Sequence, residues 1–211
     1  MDRAARWRFL RRHSVSLLGL VLVYVLLTVG RNLRDDYAVE IWAGLDASRS
    51  AATFTYTELV VSLVVLAACG LTALIRDNRR ALRAALGLSG VGLGLLGASV
   101  VALRSGSIGP FAFMTLSGLG LYLPYVTFHT TVFERLIAVL KERANVGYLM
   151  YFADAFGYLA YVVLLIVQAG AADQSRSLDS FFVACVSIAV VSIVTLAVAS
   201  RRIGRHEGRE V

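Results

Sequence analysis

The residues best suited to chemistry lie in the apolar segment 147–168, where Asp154 is the one charged residue. Tyr151, Tyr158 and Tyr161 are spaced so that, in a helix, they share one face with Asp154. A carboxylate within hydrocarbon costs about 2.5–3.5 kcal/mol, so Asp154 should face the protein interior or water, paired or protonated. The stripe either binds a solute or relays a proton, or else an Asp–Arg or Asp–Tyr contact fixes the helix register.

A second charged group follows the first apolar segment of the chain. Its members are Arg31, Arg34, Asp35, Asp36 and Glu40. Their helical spacing indicates that the first helix can continue beyond the hydrocarbon. One interpretation is a solvated loop whose charges pair with each other. The other is a water-filled vestibule, in which the two arginines are available to an anionic solute.

A third polar group surrounds Pro124, which removes a backbone donor and loosens a helix. Tyr122 and Tyr125 flank the proline, and the polar end of this segment adjoins a basic loop, so we predict a cytoplasmic gate. The gate candidates are Arg76, Asp77, Arg79, Arg80, His129, Glu134 and Arg135. His129 can equally be a plain interfacial residue. We expect Glu134 and Arg135 to pair with each other.

Four glycines give segment 84–103 a face with almost no side chain. They are Gly87, Gly90, Gly94 and Gly97. Such a stripe lets another helix approach closely, so we predict a packing face, with a cavity lining as the alternative.

The elements that must position these residues are transmembrane helices. The chain has 211 residues, of which 58% are hydrophobic and 17% charged, against about 25% charged in soluble domains. This composition excludes a water-soluble globule and a disordered chain. Six segments approach the 20 apolar residues that a bilayer crossing needs: 14–33, 56–75, 84–103, 108–128, 147–168 and 180–200. We therefore predict an all-α, multi-pass bundle forming one domain.

The basic residues predict the orientation. Most of the 21 Lys and Arg residues lie before the first segment, after the last, and between segments two and three and four and five. Under the positive-inside rule both ends are cytoplasmic, and we expect the bacterial inner membrane. The net charge of +7 follows from this bias and from contact with anionic lipid head groups, so it does not indicate nucleic acid binding.

Cofactor and enzyme chemistry have little support in the sequence. The chain has no Cys/His cluster with metal-ligand spacing, no phosphate-binding loop and no dinucleotide fingerprint. The string 87–90 resembles the nucleophile motif of rhomboid-type intramembrane proteases. None of His13, His129 and His206 lies in the sixth segment, where that family keeps its base. We predict no cofactor, no metal and no enzymatic activity.

Six helices with cytoplasmic ends and an intramembrane carboxylate resemble one half of a major facilitator transporter. The basic string 73–80 resembles the turn after the second helix of each half in that family. Ile75 replaces the aspartate of the motif and Asn78 replaces its glycine. The strings 23–42 and 156–159 distantly resemble the seventh and eleventh helices of organophosphate–phosphate antiporters.

A narrower resemblance covers residues 1–168. The strings 34–42, 119–126, 133–138 and 154–158 are similar to the carboxyl half of an uncharacterised bacterial membrane family. That family is a domain of unknown function with twelve helices, related to the major facilitators. The resemblance implies that an amino-terminal six-helix half is missing here. A separate chain or a second copy would take its place.

These observations lead to two hypotheses from different classes. In the first, the chain is half of a secondary transporter for a small anionic solute, with an organic phosphate preferred by analogy. Arg31 and Arg34 then attract the anion, and Asp154 couples protons or fixes its helix. In the second, the chain is a structural or assembly subunit of a membrane complex, and Asp154 fixes the register of its helix.

Overall fold

The computed structural model describes residues 14–45, 51–140, 146–170 and 178–207, and these ranges are helical apart from short turns. The elements in chain order are α1 (Ser14–Asp36), α2 (Ala38–Gly44), α3 (Ala51–Ala73), α4 (Asn78–Arg104), α5 (Pro110–Thr127), a π-helix (Phe128–Val132), α6 (Phe133–Val139), α7 (Val146–Gly170) and α8 (Leu178–Glu207).

The all-α prediction is confirmed. Within the described ranges, six helices are long and apolar enough to cross a membrane. The fourth crossing is longer than predicted, because α5, the π-helix and α6 follow one another without a break from Pro110 to Val139. The first helix also runs past its predicted end, to Asp36. The charged group after the first segment is therefore partly helical, as its spacing indicated.

Local chemistry sets several helix ends. Asp77 caps α4, since its side chain accepts a hydrogen bond of 2.7 Å from the backbone N–H of Arg80. Pro110 begins α5, where its missing N–H is not needed. Gly106 has a φ of 73°, which lets the chain turn between α4 and α5. These features set both ends of α4 and the start of α5.

Four long helices form the centre of the bundle. The hydrophobic core is shared by α1, α4, α5 and α8, whereas α3 packs mainly on α5 and α7 mainly on α1. The most apolar stretches of the crossings at α1 and Pro110–Val139 are 56% and 61% buried, against 22% for α3 and 17% for α7. Of the six crossings, α3 and α7 are therefore the ones that this chain covers least.

The packing pattern repeats within the chain. Suppose that α1 is exchanged with α5, α3 with α7 and α4 with α8. Each extensive contact between long helices then maps onto another such contact or onto itself. The contact of α4 with α5 becomes that of α8 with α1, and α3 on α5 becomes α7 on α1. The contacts of α1 with α5 and of α4 with α8 map onto themselves. The bundle is thus organised as two three-helix units.

Three of the four glycines of the predicted packing face do not pack within this chain. No atom outside the local helix lies within 4 Å of a Cβ built on Gly87, Gly90 or Gly94, so these residues face no other helix of this chain. A Cβ built on Gly97 would make an ordinary contact of 3.6 Å with Ala189. Packing of this face against another chain stays a prediction.

A different pair of glycines brings α4 and α5 together. A Cβ on Gly92 would lie 2.6 Å from Pro124, and one on Gly120 would lie 2.8 Å from the backbone of Leu96. The sequence spacing did not indicate this pair, because the helix contact follows the partner's shape, here the proline ring, as well as the run of small residues.

Candidate functional site

Arg34 is a buried structural residue. Its side chain is 1% exposed. Its Nη2 donates to the Oε1 of Glu58 on α3 at 2.7 Å and to the carbonyl of Met114 on α5 at 3.0 Å. Its Nη1 lies 3.5 Å from the carboxylate of Asp35. The Nη atoms of Arg34 therefore join three helices, whereas its buried Nε has no hydrogen-bond partner among the described residues. That Arg34 attracts a solute stays a prediction. The solvated-loop interpretation also fails here.

Arg31, three positions earlier, has a different environment. It is half-buried, and its guanidinium lies over the ring of Tyr125, 4.6 Å from the centroid. One amino group donates to Asn32 at 2.9 Å, whereas the buried Nε has no hydrogen-bond partner. Among the described residues no carboxylate forms an ion pair with Arg31. Its charge is therefore balanced mainly by aromatic faces and by more distant groups.

The groups that interact electrostatically with Arg31 come from α1, α5 and α7. They are Tyr122, Tyr125, Asp35 and Tyr158. We call this set, together with Arg31, the arginine groove. Asp35 and Tyr158 are exposed in this chain and the two tyrosines of α5 are half-buried, so the set is partly accessible from the surface of the bundle. A guanidinium surrounded by hydroxyl-bearing rings suits an anionic ligand.

The carboxyl end of α1 is tied to two other helices. Asp35 accepts a hydrogen bond from Tyr122 of α5, and Asp36 accepts one from Tyr161 of α7. Two consecutive carboxylates of α1 thus bond to two different helices. Glu40, on α2, is exposed and is not part of this arrangement.

Asp154 is half-buried and bonds to a tyrosine that the spacing of its own helix did not identify. Tyr24 of α1, 1% exposed, donates its hydroxyl proton to the Oδ1 of Asp154 at 2.5 Å. The hydroxyl oxygen of Tyr24 also lies 3.3 Å from the Nδ1 of His129 in the π-helix. The Tyr24 ring also stacks on Tyr125, with 5.3 Å between centroids. His129 therefore lies against the polar interior on one side, although it is otherwise exposed.

The tyrosine stripe of α7 divides between two environments. Tyr161 is 7% exposed and bonds to Asp36, whereas Tyr151 and Tyr158 are 79% and 51% exposed. Asp154 and Tyr161 turn towards α1, and Tyr158 borders the arginine groove. The four residues share a helix face as predicted from their spacing, but they do not form one continuous polar contact surface.

The gate candidates lie at several separate places. Asp77 caps α4, and Arg135 donates to Asn78 at 2.6 Å, which joins α6 to the start of α4. Pairing between Arg135 and Glu134 was expected, but the described ion pairs do not include it. Two of the seven candidates, Arg79 and Arg135, are half-buried, and the other five are exposed: Arg76, Asp77, Arg80, His129 and Glu134. Among the gate candidates, the described contacts therefore show Asp77 capping a helix and Arg135 joining two helices.

Two residues of the site were missed by sequence reasoning. Tyr24 precedes Arg31 by seven positions, which places both on one face of α1, and that spacing was the available signal. Glu58 is an acidic residue near the start of the second crossing, and intramembrane charges call for a partner. Its pairing with Arg34 depends on which helices meet, which a single-helix pattern does not specify.

Fold and site together define a multi-pass membrane protein whose central helices carry a groove with one arginine and several tyrosines. Residues 1–203 match the model of a family described as a family of unknown function, DUF5690, and the chain belongs to that family. Searches of curated proteins and of solved structures find no match.

Proposed function

We propose that this chain is one half of a secondary transporter related to the major facilitators, which moves a small anionic solute together with a second six-helix half. Arg31 is the central residue of the solute site. The observation that carries the proposal is a half-buried arginine in the first crossing that lies over a tyrosine ring, with a buried Nε and no carboxylate ion-pair partner among the described residues.

The chemistry of the groove favours an anion with several oxygens. A guanidinium in a membrane is costly unless it faces water, a π-system or an anion, and Arg31 has one ring face and no ion pair. Its planar fork matches carboxylate or phosphate oxygens, and tyrosine hydroxyls supply further donors. An organic phosphate is the preferred class, by analogy with the organophosphate–phosphate antiporters.

The helix arrangement supports a transporter half. Two three-helix units related by exchange are typical of transporters built from inverted repeats, whose binding sites lie at the repeat interface near the middle of the bilayer. In this chain α1 and α5, the first helix of each unit, carry Arg31 and its tyrosines. The second half would pack on α3 and α7, which bury the least surface within the chain.

A docking-subunit function has one observation in its favour. The hydrogen bond between Tyr24 and Asp154 is the kind of Asp–Tyr contact that fixes helix register without any transport role. In that case Arg31 needs no solute, and its substitution should leave the assembly unchanged.

Solute exchange in proteoliposomes tests the proposal. The protein is purified in the assembly that it forms in its native membrane, reconstituted with internal inorganic phosphate, and tested for uptake of labelled glycerol 3-phosphate against labelled glycerol. We expect phosphate-dependent uptake of the anion alone. Arg31→Gln should reduce it at least tenfold, the usual loss for a charge-assisted hydrogen bond.

Arg104→Gln is the matched control, because Arg104 pairs with Asp179 on the exposed end of the bundle. It should retain uptake close to that of the unmodified protein. If Arg31→Gln also retains full uptake, or if the unmodified assembly moves neither inorganic phosphate nor glycerol 3-phosphate, the anion-transport proposal is wrong.

A further inference from the structure

We propose that Tyr24, His129 and Asp154 form a proton-binding site, in which Tyr24 passes a proton between the imidazole and the carboxylate. We call these three residues the proton cluster. The proposal deepens the transport function, since it names the ion that would be coupled to the solute. The binding of the proton itself is a separate property of the cluster.

The hydrogen-bond directions follow from the number of protons available. A tyrosine hydroxyl has one proton, and Tyr24 uses it towards Asp154 at 2.5 Å. Its oxygen must then accept at 3.3 Å from the Nδ1–H of His129. The cluster is therefore a directed chain, from imidazole to phenol to carboxylate, and its other end, the Nε2 of His129, belongs to an exposed residue.

Proton transfer along this chain balances without any other reactant. A proton from water binds to Nε2 and gives the imidazolium. The Nδ1 proton then moves to the Tyr24 oxygen while the Tyr24 proton moves to Asp154. The products are a neutral imidazole that keeps the Nε2 proton, a neutral phenol and a carboxylic acid. The cluster changes from one negative charge to none, which lowers the cost of its position inside the membrane.

Few other charges oppose or replace this step. The nearest titratable groups are Tyr125 and Arg31 on the side of α1 and α5, and Tyr151 and Tyr158 on α7. On α6, Glu134 is exposed and Arg135 bonds to Asn78. Three further helices have long stretches without a charged residue. These are α3 beyond Glu58, α4 between Arg83 and Arg104, and α8 between Asp179 and Arg201.

The cluster is in contact with the arginine groove. The Tyr125 ring stacks on Tyr24, with 5.3 Å between centroids, and also carries the Arg31 guanidinium 4.6 Å from its centroid. A change in charge at the cluster therefore reaches the solute site through one shared ring. His129 also lies in a π-helix, a local irregularity that often occurs at functional positions.

Infrared difference spectroscopy of the protein in lipid nanodiscs tests the proposal. The background carries His13→Gln and His206→Gln, so that His129 is the one histidine observed. We expect the C=O band of a protonated carboxyl and the tautomer bands of the imidazole to change in the same step as the pH is varied, because the uptake of one proton alters both groups. Asp154→Asn should remove the carboxyl band.

Tyr24→Phe is the decisive variant, since it keeps the ring stacking and removes the hydroxyl. We expect the carboxyl and imidazole steps to separate by about one pH unit or more, the loss of one charge-assisted hydrogen bond. Asp179→Asn, at the exposed pair with Arg104, should change neither step. A carboxyl band that persists in Asp154→Asn, or steps that coincide equally well in Tyr24→Phe, would overturn the proposal.

The outcomes for the two proposals are distinguishable. Coupled titration without phosphate exchange leaves the proton cluster in place and refutes the transport function. Exchange that depends on Arg31 together with uncoupled titration refutes the proton cluster alone.

Discussion

Arg31 and Arg34 are three positions apart on one helix, and their hydrogen-bond partners differ. Arg34 joins α1 to α3 and α5 through Glu58 and the Met114 carbonyl, whereas Arg31 lies over the ring of Tyr125 and bonds to its neighbour Asn32. A step of three residues leaves a net rotation of about 60°, which is enough to give two long side chains different neighbours. Residue type and approximate depth in the membrane are therefore poor guides to the role of an arginine in this helix.

The buried arginine should be important for stability. We expect Arg34→Met to lower the free energy of unfolding by about 3 kcal/mol, because Glu58 and the Met114 carbonyl lose their charged donor. Thermal unfolding in detergent, followed by circular dichroism, measures the effect. The control is Arg104→Met, whose pair with Asp179 is 55% and 80% exposed. Its loss should be below about 1 kcal/mol. Equal losses would contradict the structural role of Arg34.

At the scale of helices, close packing depends on two glycines outside the stripe that the sequence emphasises. Gly92 receives the ring of Pro124, and Gly120 receives the backbone of Leu96. These contacts bring α4 and α5 close together and leave Gly87, Gly90 and Gly94 on the outside of the bundle.

A pair of alanine substitutions tests this assignment. Gly120→Ala places a Cβ within 2.8 Å of backbone, so α4 and α5 must separate, at a cost of about 1–3 kcal/mol. Gly94→Ala meets no atom within 4 Å and should be neutral or stabilising by up to about 1 kcal/mol through helix propensity. Unfolding in detergent compares the two variants. The packing assignment fails if Gly94→Ala is the more damaging.

The elements were more predictable than their partners. Six crossings follow from hydrophobic length alone, and the shared face of Asp154 and its tyrosines follows from helical period. The period identifies a face but not the helix that meets it. Tyr24 was therefore not identified as the partner of Asp154, nor Glu58 as the partner of Arg34. Such pairs depend on the relative height and rotation of two helices, which tertiary packing decides.

At the scale of the whole molecule, four mid-helix positions have nearly equal exposure within the chain. Leu63 on α3 and Leu159 on α7 are each 58% exposed, and Val91 on α4 and Val190 on α8 are 59% and 57% exposed. If a second half packs on α3 and α7, the first two are covered in the assembly and the last two face lipid.

Spin labels on single cysteines at these positions measure what covers them. In a background with Cys69→Ala and Cys185→Ala, we expect labels at Leu63 and Leu159 to collide with dissolved oxygen less often than labels at Val91 and Val190. The four positions are matched in exposure and lie near the middle of their helices. Equal oxygen accessibility at all four would show that α3 and α7 face lipid as well.

The predicted orientation has its own test in the same cysteine-free background. Ser105 lies in the exposed turn after α4 and Arg76 lies in the exposed turn before it, at opposite ends of one crossing. With both chain ends cytoplasmic, a membrane-impermeant thiol reagent added to intact cells should label Ser105→Cys and leave Arg76→Cys unlabelled until the cells are opened. The reverse pattern would invert the topology inferred from the basic residues.

The exchange relation between the two three-helix units has a consequence for the origin of the fold. After three crossings the chain is on the opposite side of the membrane from where it began. The second unit is therefore inverted relative to the first. A duplicated ancestor of both units must then have inserted into the bilayer in either orientation. The link between its first two crossings is now the connection between α1 and α3 in one copy. In the other it is the connection between α6 and α7, in which Lys141 and Arg143 lie in the sequence. Under the predicted orientation the first connection is outside the cell and the second is inside. Divergence of the arginines in equivalent loops would have fixed each copy in its present direction.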